Sequence, residues 1–223
     1  MKKLFALIAS VLLSMNVDAQ TTTLKVESFR MGIGEQKTIT LDMDNSDLTD
    51  AAAFCCDIYL PAGVEIATNE EGTYQFSVSD KDSRSTSSDL VIASAEQSDG
   101  AVRVVCFPKD ASAFAGTSGA ILNIPLVASK DLTKGTVEVS IASQEITNTT
   151  GLTTVKPSAS ASDLTVILRG DVNDDDKVNG TDIQATINEI VADKYNIDAD
   201  VNEDTLVNGT DIQGIINIIV SND

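Results

Sequence analysis

Two segments near the end of this chain repeat each other in register. Asp171-Val172-Asn173-Asp174-Asp175-Asp176-Lys177-Val178-Asn179-Gly180-Thr181-Asp182-Ile183-Gln184 aligns with Asp200-Val201-Asn202-Glu203-Asp204-Thr205-Leu206-Val207-Asn208-Gly209-Thr210-Asp211-Ile212-Gln213 at a constant offset of 29 residues. Such a repeat is one structural unit written twice. Each copy places oxygen-bearing side chains at loop positions 1, 3, 5, 9 and 12, the spacing by which a turning backbone wraps a hard cation. In the first copy these are Asp171, Asn173, Asp175, Asn179 and Asp182, and in the second Asp200, Asn202, Asp204, Asn208 and Asp211. Position 7, Lys177 or Leu206, contributes only its carbonyl. An all-oxygen donor set with three carboxylates favours calcium over zinc, copper or iron, so two calcium ions are expected.

The charge distribution supports this reading. Residues 171–223 hold 13 of the 34 Asp and Glu but only two of the 15 Lys and Arg, Lys177 and Lys194. So local an acid excess repels itself unless cations neutralise it, and it disfavours nucleic acid and anionic lipid as partners. Position 6 normally needs positive φ and is usually Gly; Asp176 tolerates that conformation better than Thr205, so the second site is expected to be the weaker. Position 12 is Asp, one methylene shorter than the Glu of common EF-hands.

A helix is expected after each loop. Asn179-x-x-Asp182 and Asn208-x-x-Asp211 have the form of capping boxes. Ile183, Ile187, Ile190 and Val191 then trace one apolar stripe, and Ile212, Ile215, Ile216, Ile219 and Val220 the other. The core between two such helices is small, which predicts folding coupled to metal binding.

A loop followed by a helix, with no helix before it and repeated twice, resembles the dockerin type I module. The run Gly170-Asp171-Val172-Asn173 through Asp182-Ile183 is close to that family's wording. The resemblance implies a calcium-dependent module over residues 170–223 that grips a cohesin in trans through loop positions 10 and 11 and the following helix face. Those positions are Gly180, Thr181, Gly209 and Thr210, with Asn188 and Asn217 further along. Gly-Thr stands where the family often shows Ser-Thr or Ser-Asn. Identical residues in both copies imply pseudo-twofold symmetry and two binding orientations.

Before this unit the chain alternates apolar and polar residues between turn signals. Period-2 runs cover Thr38–Met43, Phe54–Leu60, Tyr74–Val78, Leu90–Ala95, Ala101–Phe107, Ala120–Ala128, Val137–Ile141 and Leu164–Leu168. About nine short strands without a helical stretch between them predict an antiparallel β-sandwich or jelly roll. Pro125 points to an edge strand or a bulge in its run. The stretch Ala52–Leu60 followed by Pro61-Ala62-Gly63-Val64-Glu65-Ile66, and the run Gly119–Leu126, resemble strands of cohesin modules. A cohesin-like sandwich over residues 20–168 is therefore expected, joined almost directly at Arg169 and Gly170.

Residues 1–19 have the form of a signal peptide: Lys2 and Lys3, the apolar run Leu4–Leu13, then Val17 and Ala19 before the cut. Export follows, to a secreted, periplasmic or cell-surface location, with no membrane insertion because no second apolar run is long enough to span. Cys55, Cys56 and Cys106 give no regular framework; Cys56 and Cys106 face one core, as a bridge or as buried free thiols.

The chain has no His, which excludes Ser-His-Asp and Cys-His catalysis. Glu27, Glu35, Asp42, Asp44, Asp57, Glu65, Glu70 and Glu71 read as strand exteriors and turns, and nothing nominates a glycosidase acid and base. Sugar-binding sandwiches usually offer aromatic platforms, whereas this chain has no Trp and three Tyr (Tyr59, Tyr74, Tyr195). The expected function is non-catalytic, calcium-dependent protein–protein assembly, linked by the family resemblance to polysaccharide degradation, with self-association a further expectation. The alternatives are a carbohydrate-binding module that takes a polysaccharide, and a glycoside-active enzyme.

Overall fold

The computed structural model describes residues 22–82, 84 and 90–222; the expected signal peptide and its cut near Ala19 lie outside them. The strands are β1 (Thr23–Lys25), β2 (Phe29–Gly32), β3 (Gln36–Asp44), β4 (Ala51–Tyr59), β5 (Val64–Ile66), β6 (Ser77–Val78), β7 (Leu90–Glu96), β8 (Val102–Pro108), β9 (Ser118–Ala128), β10 (Gly135–Asn148), β11 (Thr154–Val155) and β12 (Ser160–Ile167). Helices α1 (Gly180–Ala192) and α2 (Gly209–Asn222) follow. One sheet runs β1-β3-β9-β5 with β6 also on β9; the other runs β2-β12-β10-β4-β8-β7 with β11 on β10. All pairings are antiparallel except β2 with β12.

The alternation read from the sequence becomes burial. Ile39, Leu41 and Met43 of β3 meet Phe54, Cys56 and Ile58 of β4, Val104 and Cys106 of β8 and Ile124 and Leu126 of β9 in one core between the sheets. Each fully buried aliphatic side chain of this kind contributes about 1.5–3 kcal/mol. All three cysteines are free thiols: Cys56 and Cys106 are sealed in the core and Cys55 is half-buried on the other face of β4. Burial raises the Cys106 thiol to about 12 and also lifts Cys56, so both behave as small core hydrophobes.

Several elements differ from the reading of the sequence. Only Ser77–Val78 of the Tyr74–Val78 run is strand, and β10 extends to Asn148 through an irregularity at Ser143 (φ 48). There the buried side-chain amide of Gln144 accepts from the Leu24 N–H (2.7 Å) and donates to the Leu24 carbonyl (2.9 Å). That is how a neighbouring strand's peptide would pair, and it ties β1 of one sheet to β10 of the other. Pro125 lies within β9, a strand flanked by β3 and β5, rather than on an edge strand, and the bulge falls at Ile121 instead. Pro125 is tolerated because β5 ends opposite Leu126 and β6 begins opposite Asn123. Ala67 N–H still donates to the Pro125 carbonyl (2.8 Å), and the Ala67 carbonyl, which Pro125 has no N–H to serve, accepts from Gln75 N–H (2.9 Å). Asp57 lies on the outer face of β4 with Cys55 but is covered there: it is 4% exposed and takes a bidentate pair from Arg103 (2.7 and 2.7 Å).

The β2–β12 pairing places the site that follows. Gly32 stands opposite Ile167, and Ile33 N–H donates to the Ile167 carbonyl (2.9 Å). The β2–β3 turn therefore lies beside the point where the chain leaves the sandwich. Gly170 sits at that exit with φ +90, and a Cβ there would meet Val178 Cγ1 at 3.0 Å and Ile218 Cδ1 at 3.3 Å. Only Gly satisfies both the backbone and the approach.

Candidate metal centre

The two loops reproduce each other bond for bond. In the first, Asp171 Oδ1 accepts from Asp175 N–H (2.9 Å) and Asp182 Oδ1 from Val172 N–H (2.9 Å) and Asn173 N–H (3.3 Å). In the second, Asp200 Oδ1 accepts from Asp204 N–H (3.1 Å) and Asp211 Oδ1 from Val201 (2.9 Å) and Asn202 (3.3 Å). Positions 1, 3, 5 and 12 are thus knitted through the backbone into one ring in each copy. Position 9 caps the helix: Asn179 Oδ1 accepts from Thr181 N–H and Asn208 Oδ1 from Thr210 N–H, both at 2.9 Å. The reciprocal bonds, Asn179 N–H to Asp182 Oδ2 and Asn208 N–H to Asp211 Oδ2, are also both 2.9 Å. Both capping boxes read from the sequence are formed. The position-7 amides, Lys177 and Leu206, donate to Asp175 Oδ1 and Asp204 Oδ1.

Backbone geometry explains which residues the loops use. Asp176 and Thr205 at position 6 have φ 62 and 70, the conformation expected there. Position 4 shares it, Asp174 at φ 56 and Glu203 at φ 59; Asp174 is a residue type that tolerates this region, whereas Glu203 gives no such signal. Helix α1 ends on Asp193 in the left-handed region, with Asp193 and Lys194 amides returning to Ile190 and Glu189 carbonyls.

The carboxylates at positions 1 and 12 are buried: Asp171 8%, Asp182 0%, Asp200 4% and Asp211 0% exposed. Among the described residues neither Asp182 nor Asp211 has an ion-pair partner. Buried carboxylates held only by neutral N–H donors, inside a set of oxygen atoms, fit a divalent cation that supplies the missing charge. The acid oxygens that lie within 4.8 Å of one another in the first loop are those of Asp171, Asp174 and Asp176, positions 1, 4 and 6, rather than the expected 1, 5 and 12. They surround a cation from the sandwich: Lys134 Nζ lies 3.0 Å from Asp171, 2.6 Å from Asp174 and 2.5 Å from Asp176. Those carboxylates hold the Lys134 ammonium well above its ordinary range. In the second loop the corresponding oxygen of Asp200 accepts from the Tyr195 hydroxyl (3.0 Å).

The residues expected to grip a partner, Gly180, Thr181, Asn188, Gly209, Thr210 and Asn217, are all exposed. Gln184 Nε2 donates to Asn188 Oδ1 (3.1 Å) and Gln213 Nε2 to Asn217 Oδ1 (3.0 Å), so both copies present the same arrangement. The apolar stripes are less buried than expected. Ile215 is fully buried, whereas Val191 is 81% and Val220 69% exposed and Ile190 and Ile216 lie near the surface. Two short helices that pack on each other have only one face to share. No described helix is long and apolar enough to cross a membrane.

Residues 169–220 match the family model of the dockerin type I domain. Cohesins are among the solved structures that resemble the rest. The sixth cohesin of scaffoldin B from Acetivibrio cellulolyticus, solved with a dockerin, superposes with TM-score 0.52 at 13% identity over 66% of this chain and 99% of that one. A chain of a type I cohesin–dockerin complex from Clostridium thermocellum gives 0.52, 13%, 66% and 99%. The non-cellulosomal cohesin from the archaeon Archaeoglobus fulgidus gives 0.50, 11%, 66% and 91%. At such identities the likeness is one of fold, a mainly β domain resembling cohesin followed by two helices in the dockerin-matching region. A search of curated proteins gives no match.

Proposed function

We propose that this chain is an exported, non-catalytic assembly protein in which a cohesin-like sandwich (residues 20–168, after removal of 1–19) carries a calcium-dependent dockerin (170–223). Asp171, Asn173, Asp175, the Lys177 carbonyl, Asn179 and Asp182 would hold one ion, and Asp200, Asn202, Asp204, the Leu206 carbonyl, Asn208 and Asp211 the second. Calcium supplies positive charge to buried carboxylates, and the loops in turn set the start of each helix. The observation that carries the reading is the bond-for-bond duplication of the loops, with both candidate partner faces left exposed.

A protein partner follows from the dockerin match and from the complexes in which the similar cohesins were solved. The partner is read as a cohesin-type module in trans, and the setting as extracellular polysaccharide degradation. Because both halves occur in one chain, a second copy is itself a candidate partner. The test is binding of the full chain to a panel of purified cohesin modules, with calcium and with chelator. Capture by at least one module that is lost on chelation supports the reading, and absence of calcium uptake by calorimetry overturns it.

A further inference from the structure

The duplication is symmetric inside the loops and asymmetric at their rims, and the sandwich makes the difference. At position 4 of the first loop, Asp174 pairs with Lys134, which precedes β10. At position 4 of the second, Glu203 pairs with Lys37 of β3 and with Arg169 (2.8 Å). Arg169 also takes both oxygens of Glu35 in the β2–β3 turn (3.0–3.1 Å) and donates to the Val201 carbonyl (3.0 Å). Arg30 of β2 pairs with Asp198 and donates to the Ile197 carbonyl (2.8 Å), just before the second loop. Four cations thus meet the loop rims along one strip. The side chains of Arg30, Lys37 and Arg169 are 18–20% exposed and that of Lys134 is 30%. Isolated surface pairs contribute little. A half-buried guanidinium bound to two carboxylates and a carbonyl is committed to one geometry.

We propose that this strip is an internal docking face: the sandwich grips the rims of both loops through position 4, so that the two halves form one body and the helices are presented outward in a fixed orientation. The position-4 acids are outside the expected donor positions; of the expected donors the grip reaches only Asp171, through Lys134 (3.0 Å). Both copies of the position-10 and -11 surface stay exposed, so docking fixes the helices without spending either partner face. The proposal rests on the loop fold alone and not on the identity of a partner.

The experiment follows the tumbling of the full chain by nuclear relaxation, with calcium alone as the added ligand, alongside calcium titration and hydrogen exchange. The wild type should tumble as one body. The double variant Arg30→Ser, Lys37→Ser alters only the sandwich surface that holds the second loop and should let the helical unit tumble more independently of the sandwich. Amide exchange at residues 198–206 should rise at least about tenfold, with the sandwich melting temperature and calcium stoichiometry unchanged. Glu203→Gln, on the loop side and outside the donor set, is the second variant and should move exchange in the same direction. A wild type that tumbles as two bodies, or variants that tumble as the wild type does, overturns the docking. If calcium is not taken up yet the chain tumbles as one body, the calcium reading fails and the docking stands.

Discussion

Thr205 carries a β-branched side chain at φ 70, a conformation that costs a non-glycine residue about 1–2 kcal/mol. Asp176, its counterpart at φ 62, meets the same demand with a side chain that tolerates it better. Removing the Cβ relieves the strain, while the freer unfolded backbone of Gly offsets about 0.5–1 kcal/mol of the gain. Thr205→Gly is therefore expected to tighten calcium at the second loop by a few-fold, read as the weaker step of a two-site calorimetric titration. Unchanged affinity would show that the strain is released elsewhere. Asp57 gives a prediction of opposite character. The Arg103 hydrogen bonds hold its carboxyl below the ordinary range against the opposing effect of burial. A depressed carboxylate stabilises the fold above its unfolded pKa of about 3.9 and loses that contribution as the pH falls through the folded value. Asp57→Asn should lower the melting temperature near neutrality but flatten its decline below about pH 4. An acid limb as steep as that of the wild type counts against the pair.

At the level of elements, the helices were legible because their start signals are local: one Asn and one Asp three residues on supply both capping bonds. The strands with strict alternation, β3, β4 and β8, were legible for the same reason, since period 2 in sequence is a face in space. What was missed depends on distant partners. β1, β2 and β11 are two to four residues long, and they exist because Met43, Val166 and Ile146 stand opposite them in longer strands. Pro125 was misplaced because its tolerance rests on a gap between β5 and β6 that composition does not record. At the candidate metal centre the residues of the hydrogen-bonded loops were readable from spacing, but Lys134 was not: it lies 37 residues from Asp171 in sequence and meets it only through the fold. The helices in turn depend on the loops. With Ile215 the one fully buried apolar residue in α1 and α2, packing alone is weak and the caps rest on carboxylates that repel one another without a cation. Chelation should thus remove the helical far-UV dichroism while leaving the β signal, and Asp182→Ala should mimic it for the first loop. Full helicity in chelator would make the loops self-sufficient.

At the scale of the whole molecule, a sandwich of cohesin-like fold and a dockerin-matching region stand in one chain, and if they bind each other between copies, the geometry of that contact determines what they build. If the helices of one copy bind the sandwich of the next, the contact is heterologous: each copy leaves one sandwich and one helical face open, so growth does not stop at two. An isologous contact between helical faces would close as a dimer. Charge opposes either arrangement, because copies of a chain with a formal net charge of -19 repel. Calcium bound as proposed would lower that charge where it is most concentrated, and added salt screens the remainder over about 10 Å. Multi-angle light scattering of the full chain should therefore show a mass that rises with concentration beyond the dimer in calcium, rises further with moderate salt, and falls to the monomer in chelator. A ceiling at twice the monomer mass would replace the open array with a closed pair. A monomer at every concentration in calcium would sink self-association of either kind.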